Sequence, residues 1–408
     1  MTETKIVILG AGYAGLMALK ILQGKAKKAN LAITLVDRND YHTEATDLHE
    51  IAAGSRQLDD ISYKITDVLT PSTKFIQDSV VKVDKSTKTI ELAEHANLEY
   101  DYVIIALGFV SESFGIPGVL ENTLKMDDVN TAEAIHQHIL AKMVDYKTSQ
   151  KESNLTIAVC GAGFTGLELL GALAEEKGKY AELAGVAENN IRILVVDGSP
   201  RPFGMFPSSL AAKGTKILTD GDVKLLMGKG IESIEPDVIH YKDRKTAEVG
   251  TVHAGTIIWT TGVSGSPIMA ASGYTAKRNR VVVTDELRDP EDEHVFIIGD
   301  LSAVFDSASD NGAFFPTTAQ IALAQGHNAA KNILADLAGK PAHKFNFKSL
   351  GMVCSLGNTH AVGIVGDKDI NVSGFPASAL KKIIMNKSLI ETGGLKALLT
   401  KGRFDLYH

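Results

Sequence analysis

Lys5-Ile6-Val7-Ile8-Leu9-Gly10-Ala11-Gly12-Tyr13-Ala14-Gly15 is the stretch that decides the fold. A short apolar run meets a glycine turn, a helix is expected from Leu16 to about Leu22, and Leu31–Asp37 reads as a second apolar strand, which together make a βαβ unit. In the spacing Gly10-x-Gly12-x-x-Gly15 the first glycine makes the turn, the second lets a pyrophosphate approach the backbone, and the third lets helix and strand close up. Tyr13 and Ala14 sit where the helix begins, and its free amides and partial positive charge favour a phosphate. Asp37, followed by Arg38, ends the second strand, where a carboxylate can accept from ribose hydroxyls. A glycine triplet alone would be weak; with strand, helix and acid in register it predicts a dinucleotide site.

The pattern returns in mid-chain. Leu155–Cys160 runs into Gly161-Ala162-Gly163-Phe164-Thr165-Gly166, a helix is expected over Leu167–Glu175, and the next strand, Ile191–Asp197, again ends in aspartate. Asp197 would repel a 2′-phosphate, which favours NADH over NADPH, although Arg192 and Arg201 lie nearby in sequence. Each βαβ unit is followed by short alternating strands (Val80–Val83 and Thr89–Leu92; Gly230–Ile234 and Asp237–Tyr241) and then by an apolar return strand. The return strands, Tyr102–Gly108 and Thr256–Gly262, place Ala106, Gly108 and Gly262 beside the glycine turns.

Two nucleotide sites in one chain imply electron passage between two cofactors. Gly299-Asp300 closes another buried strand, and an aspartate there can bind ribityl hydroxyls of a flavin. A long helix expected over Thr317–Leu337, closed by Gly339, would aim its first residues Thr317, Thr318 and Ala319 at the flavin ring and favour its reduced, anionic form. The predicted fold is therefore α/β, with tandem Rossmann-type units for FAD and NADH. The FAD unit is expected over residues 1–112 and 286–350, the NADH unit over 113–285, and a less regular C-terminal region over 351–408.

Composition agrees. The 408 residues are 44% apolar and 22% charged, with a formal net charge of −7, so no basic field is present for nucleic acid. The two cysteines, Cys160 and Cys354, form no C-x-x-C pair and no disulfide framework, which points to a reducing compartment. No leader pattern precedes the first strand, and no apolar run is long enough to span a bilayer, so an intracellular protein is expected.

With these elements in place, the chain resembles the two-dinucleotide-binding-domain flavoproteins, and within them the type II NADH dehydrogenases, single-subunit NADH:quinone oxidoreductases of bacterial membranes. The resembling stretches are residues 9–16, 41–50 (Tyr41-His42-Thr43-Glu44 to Glu50), 106–112, 161–168, 316–322 and 353–357, spread over nearly the whole chain. The resemblance implies an FAD domain with an inserted NADH domain, a C-terminal part that binds the cytoplasmic side of the cell membrane, a homodimer, and menaquinone or ubiquinone as acceptor. It also implies that Glu168 lies near the nicotinamide and flavin rings and handles protons. On residues alone, Glu168 is a carboxylate in the first turns of a helix, where a helix-terminus charge or salt bridge would serve equally.

The family's quinone motif is Ala-Gln-x-x-x-Gln. Ala319-Gln320 fits, which makes Gln320 a candidate catalytic residue, but Ala324 stands at the second glutamine position and Gln325 follows it. A one-residue shift turns a side chain by about 100° on a helix, so Gln325 is not expected to replace the lost group. The region that would carry redox cysteines in disulfide reductases reads Asp40-Tyr41-His42-Thr43, and both cysteines read as buried apolar side chains. A sulfide:quinone oxidoreductase, which carries sulfur on cysteine, is thus an alternative with little support. A soluble NADH:acceptor reductase and a non-catalytic NADH-sensing flavoprotein remain others. Residues 375–408 hold six Lys and Arg against two acidic residues, interleaved with apolar ones. That pattern suits a helix in a bilayer interface or one packed on the protein. Of the adjacent Lys381 and Lys382, one is expected near the flavin, and Lys382 is the candidate.

Overall fold

Thr4–Leu9 has no polar face: Ile6, Ile8 and Leu9 are all fully buried. Such a strand must be covered on both sides, and it lies at the centre of a sheet ordered Thr73–Gln77, Leu31–Asp37, Thr4–Leu9, Tyr102–Ile105, Asp292–Ile297, all parallel, with Arg288–Asp289 antiparallel at the edge. The computed structural model describes residues 3–306, 312–366 and 368–405, so the extreme ends of the expected FAD and C-terminal regions lie outside the described residues. The second sheet repeats the order: Val223–Met227, Arg192–Asp197, Thr156–Cys160, Thr256–Trp259, Leu124–Lys125, all parallel. In both sheets the strand before the glycine turn is central, with its successor on one side and the return strand on the other. That reversal opens a crevice at the carboxyl ends of the strands.

The glycines are dictated by contact. A Cβ on Gly15 would lie 1.9 Å from the Gly10 carbonyl oxygen, and one on Gly166 would lie 2.0 Å from that of Gly161. The helices that follow, Tyr13–Gln23 and Phe164–Ala184, start earlier and run further than their apolar patterns indicated. Tyr13–Gln23 packs on Ala319–Leu337, and Gly326 makes the close approach: a Cβ there would be 2.2 Å from the Ala14 carbonyl oxygen. The small antiparallel meanders appear at Val80–Asp84, Thr89–Leu92 and Leu98–Glu99, and at Lys229–Glu235, Val238–Asp243 and Val249–His253.

Three expectations are corrected. The chain crosses between units through the antiparallel pair Phe109–Ser111 and Val263–Gly265, so the return lies well before residue 285. Met269, Tyr274, Val281 and Val283 already belong to the first core, and Ser272 Oγ accepts from the Val83 amide at 2.9 Å. No composition change marks that return, because both units have apolar cores. The long helix begins at Ala319 rather than Thr317; Thr318 is extended and caps it, its Oγ1 accepting from Ile321 N–H. The C-terminal region is regular: strands Gly351–Ser355, Ala361–Val365 and Ile370–Ser373 form an antiparallel sheet, and Phe375–Lys401 is a helix broken at Gly394, where φ is +73°. This sheet lies on the Phe164–Ala184 helix, where Glu175 accepts from Asn358 N–H at 2.8 Å.

Candidate active site

The two glycine turns form matched cradles. Gly10 has φ +100° and Gly161 +117°, a region in which a side chain is strained. The middle glycines, Gly12 and Gly163, have nothing within 4 Å of a would-be Cβ, which leaves the open approach a pyrophosphate needs. Asp37 accepts from Ala11 N–H at 2.7 Å and Asn39 N–H at 2.8 Å. Asp197 does the same with Ala162 N–H at 2.8 Å and Ser199 N–H at 2.6 Å. Each aspartate thus braces its own glycine loop from the end of the second strand. In the second cradle Thr261 Oγ1 donates to the Cys160 carbonyl at 2.8 Å, and Phe164 packs against Phe206. Thr165 lies in the first turn of the helix, as its place in the motif requires.

Gly108 and Gly262, with φ +70° and +72°, adjoin the two crossing strands, and Ala106 is buried at the end of its return strand. Gly299 donates its N–H to Gln325 Oε1 at 2.6 Å. Burial pushes the neighbouring Asp300 carboxyl up to about 6, with the Arg280 guanidinium opposing. Gln325 is therefore committed to the strand end, and it does not stand in for the motif position occupied by Ala324. Gln320 donates to the Gly351 carbonyl at 3.1 Å, while its buried Oε1 has no partner among the described residues.

Two further candidates have protein partners. Arg38 pairs with Asp128 at 2.9 Å, tying the first unit to the cap of the Val129–Ser149 helix. Tyr13 offers its backbone to the helix start, but its hydroxyl donates to Glu44 at 3.0 Å.

Glu168 is buried where three parts of the chain meet. Its Oε1 accepts from Ser355 N–H at 3.0 Å, Ser355 Oγ at 3.0 Å and Lys381 Nζ at 2.9 Å. Burial alone would raise its carboxyl; the Lys381 ammonium, His49 and these hydrogen bonds outweigh that and hold it below the usual carboxylate range. Burial acts to lower Lys381, but Glu168 and Asp47 hold it above its ordinary value. The pair is thus ionised at neutral pH. Here the two adjacent lysines part. Lys381 meets Glu168, whereas Lys382 donates to the Asp405 carbonyl at 2.6 Å, because consecutive helical side chains point about 100° apart. Beside this pair lies a second ionic group: Arg403 holds Glu50 at 2.8 Å and Asp405 at 3.2 Å. Near them Asp47, fully buried beside Glu50, is pushed up to about 8 by desolvation and by that carboxylate, with Arg403 opposing.

Sequence reasoning missed Lys381, Ser355 and His49 as one group. For His49 and Ser355 the only signal was the two stretches, residues 41–50 and 353–357, that carried the resemblance, and for Lys381 the basic C-terminal pattern; nothing local links any of them to Glu168. Cys160 and Cys354 are buried and free, and burial pushes both thiols up, away from the thiolate that redox or sulfur transfer requires.

Comparison with known proteins agrees with this geometry. Residues 4–326 match the family described as pyridine nucleotide-disulphide oxidoreductase. The chain is 36% identical over 405 residues to a type II NADH:quinone oxidoreductase of Staphylococcus haemolyticus, covering 98% of each. It is equally similar, 36% over 404 residues and 98% of each, to one of Staphylococcus aureus. Among solved structures it superposes on NDH2 of Plasmodium falciparum in complex with NADH with a TM-score of 0.85 at 18% identity, covering 98% of this chain and 97% of that one. It also superposes on a sulfide:quinone oxidoreductase of Aquifex aeolicus, with a TM-score of 0.76 at 19% identity, covering 99% and 96%.

Proposed function

The chain belongs to the type II NADH:quinone oxidoreductases, and on that footing we propose that it binds FAD in the first cradle and NADH in the second and passes two electrons from NADH to a quinone. The flavin supplies the chemistry that joins a two-electron hydride donor to a quinone acceptor. The chain's part is placement and charge. Gly12 and Gly163 leave room for the pyrophosphates, and Asp37 and Asp197 stand at the riboses. Thr318 caps the helix whose positive end supports negative charge on a flavin ring.

One observation carries the quinone step: the buried Glu168–Lys381 ion pair, met by Ser355 at one end of the Gly351–Ser355 strand, while Gln320, whose buried Oε1 has no partner among the described residues, donates to Gly351 at the other end. A quinone that takes two electrons also needs two protons. In this reading Lys381 holds a proton ready at Nζ and Glu168 stabilises the charged lysine until it is given up.

The acceptor dissolves in lipid, and the C-terminal helix offers a surface for it. Ala377, Met385, Leu389 and Ala397 pack inward, while Ile383, Leu395 and Leu399 are 61%, 69% and 77% exposed, with Lys387 and Lys396 among them. The inward side chains suit a helix packed on the protein, and the exposed apolar and basic ones leave an outer face for a bilayer interface. Among the described residues no helix is long and apolar enough to cross a membrane. The proposal is peripheral binding to the cytoplasmic side of the cell membrane through the outer face.

The test is anaerobic NADH oxidation by the FAD-loaded protein, with and without a water-soluble ubiquinone or menaquinone analogue. Turnover of several per second with quinone and little without it is expected. Flavin that NADH bleaches but quinone leaves reduced would refute the acceptor. The alternative of a soluble NADH:acceptor reductase, favoured by Ala324 in the quinone motif, would then take its place.

A further inference from the structure

The adenosine end of the NADH unit carries a cation that the glycine loop does not explain. Asp197 ends its strand and is held by Ser199 N–H at 2.6 Å. The Ser199 carbonyl accepts from Gly228 N–H at 2.7 Å, and the Gly228 carbonyl accepts from Arg244 N–H at 2.8 Å. Arg244 is therefore fixed by main-chain hydrogen bonds to the turn that presents Asp197, although it lies far along the sequence. Its own turn is held by Asp243, which accepts from Lys245 N–H at 2.7 Å and Thr246 N–H at 2.9 Å.

The guanidinium folds back over Gly198. A Cβ on Gly198 would lie 2.5 Å from Arg244 Cζ and Nη2 and 2.8 Å from Nε, so a side chain there would have to displace the guanidinium from this place. Gly230 clears the other side, where a Cβ would be 3.3 Å from Nε. Among the described residues the guanidinium has no hydrogen-bond or ion-pair partner. The two arginines nearer in sequence are occupied elsewhere. Arg192 donates to the Glu152 carbonyl at 2.7 Å, and Arg201 donates to Ser208 Oγ at 3.2 Å.

We infer that Arg244 is a specificity-determining residue at the adenosine 2′ position, placed to pair with a 2′-phosphate, so that the Asp197 carboxylate alone keeps the site selective for NADH. A guanidinium offers a planar fork that matches a phosphate, and nothing else in the turn competes for it. The aspartate opposes that pairing by like-charge repulsion and by accepting from the free 2′-hydroxyl instead. The inference rests on the NADH site of the preceding reading.

The experiment uses the FAD-loaded protein and two competitive inhibitors of NADH oxidation, 5′-ADP and 2′,5′-ADP. The ratio of their inhibition constants isolates the 2′-phosphate, because a general loss of nucleotide affinity or of loop order cancels in it. Asp197→Asn is expected to shift the ratio toward 2′,5′-ADP by roughly tenfold or more, an effect weakened by salt. Adding Arg244→Gln is expected to remove most of that shift, and Arg244→Lys to retain part of it. A ratio in Asp197→Asn/Arg244→Gln equal to that of Asp197→Asn would overturn the proposal. So would an equal loss of both inhibitors in Arg244→Gln, which is what adenine stacking or a merely structural arginine predicts. If 5′-ADP fails to compete at all, the NADH assignment falls, and this inference with it.

Discussion

Glu168 shows how a single side chain acquires a role from groups remote in sequence. Replacing it by Gln keeps acceptors for Ser355 but leaves the Lys381 ammonium buried without its counter-charge, a change that costs several kcal/mol unless the lysine gives up its proton. Glu168→Gln is therefore expected to slow flavin reoxidation by quinone by at least about tenfold and to leave flavin reduction by NADH nearly unchanged. Stopped-flow measurement of the two half-reactions checks this, and equal slowing of both would remove Glu168 from the quinone step. Asp47 makes a second prediction at this scale. Its folded-state value is raised to about 8, so the folded protein binds a proton there that the unfolded chain releases near pH 4. That contribution to stability is fully present below the unfolded value and is lost as pH rises toward 8. Asp47→Asn should accordingly flatten the fall in unfolding free energy between about pH 5 and 8; denaturant titrations across that range with an unaltered slope would contradict it.

At the scale of the element, the glycine turns separate folding from binding. Gly166 has a carbonyl where its Cβ would go, 2.0 Å away, while Gly163 faces open space. Gly166→Ala must shift helix against strand, and overpacking of that kind costs typically 1–3 kcal/mol or more. Gly163→Ala meets no such contact, yet its methyl occupies the approach of the pyrophosphate. The expectation is a clear drop in Tm for Gly166→Ala, against little change in Tm and a raised KM for NADH in Gly163→Ala. Thermal unfolding beside steady-state kinetics checks it; matched effects of the two variants on Tm would show that the space at Gly163 is not there for a ligand. The helix after Pro316 adds a contrast. Its start and its cap were readable to within a residue or two, but which glutamine faced the strand end was decided by the rotation of the whole helix. That rotation gives Gln325 to Gly299 and leaves Gln320 beside Gly351.

For the whole molecule, the exposed face of the broken C-terminal helix is the surface on which the proposed membrane contact rests. Leu395 and Leu399 lie beyond the Gly394 break, on the short segment that ends at Lys401. Removing a leucine from an apolar environment costs about 1.5–3 kcal/mol, roughly a factor of ten or more in partitioning for each. Leu395→Glu/Leu399→Glu is expected to abolish co-sedimentation with anionic phospholipid vesicles while turnover with a water-soluble quinone continues. Vesicle binding that survives the double change would place the membrane contact elsewhere on the molecule.

The sequence by itself determined the tandem nucleotide folds, their order along the chain, the cradle glycines and the acids that end the second strands. Each of these rests on a short local pattern: an apolar strand period, a glycine turn kept open or closed by backbone contact, and an acid about 20 residues on. It also determined that Gln325 would not stand in at Ala324, since helix geometry is local. What only the tertiary structure decided lies where the units meet. Lys381 rather than Lys382 on Glu168, Ser355 and His49 beside them, the early return of the chain at Val263–Gly265, and Arg244 beside Asp197 all pair residues through the packing of separate elements. Such pairings depend on how two surfaces settle against each other, and one residue of register or about 100° of helical rotation is enough to choose a different partner.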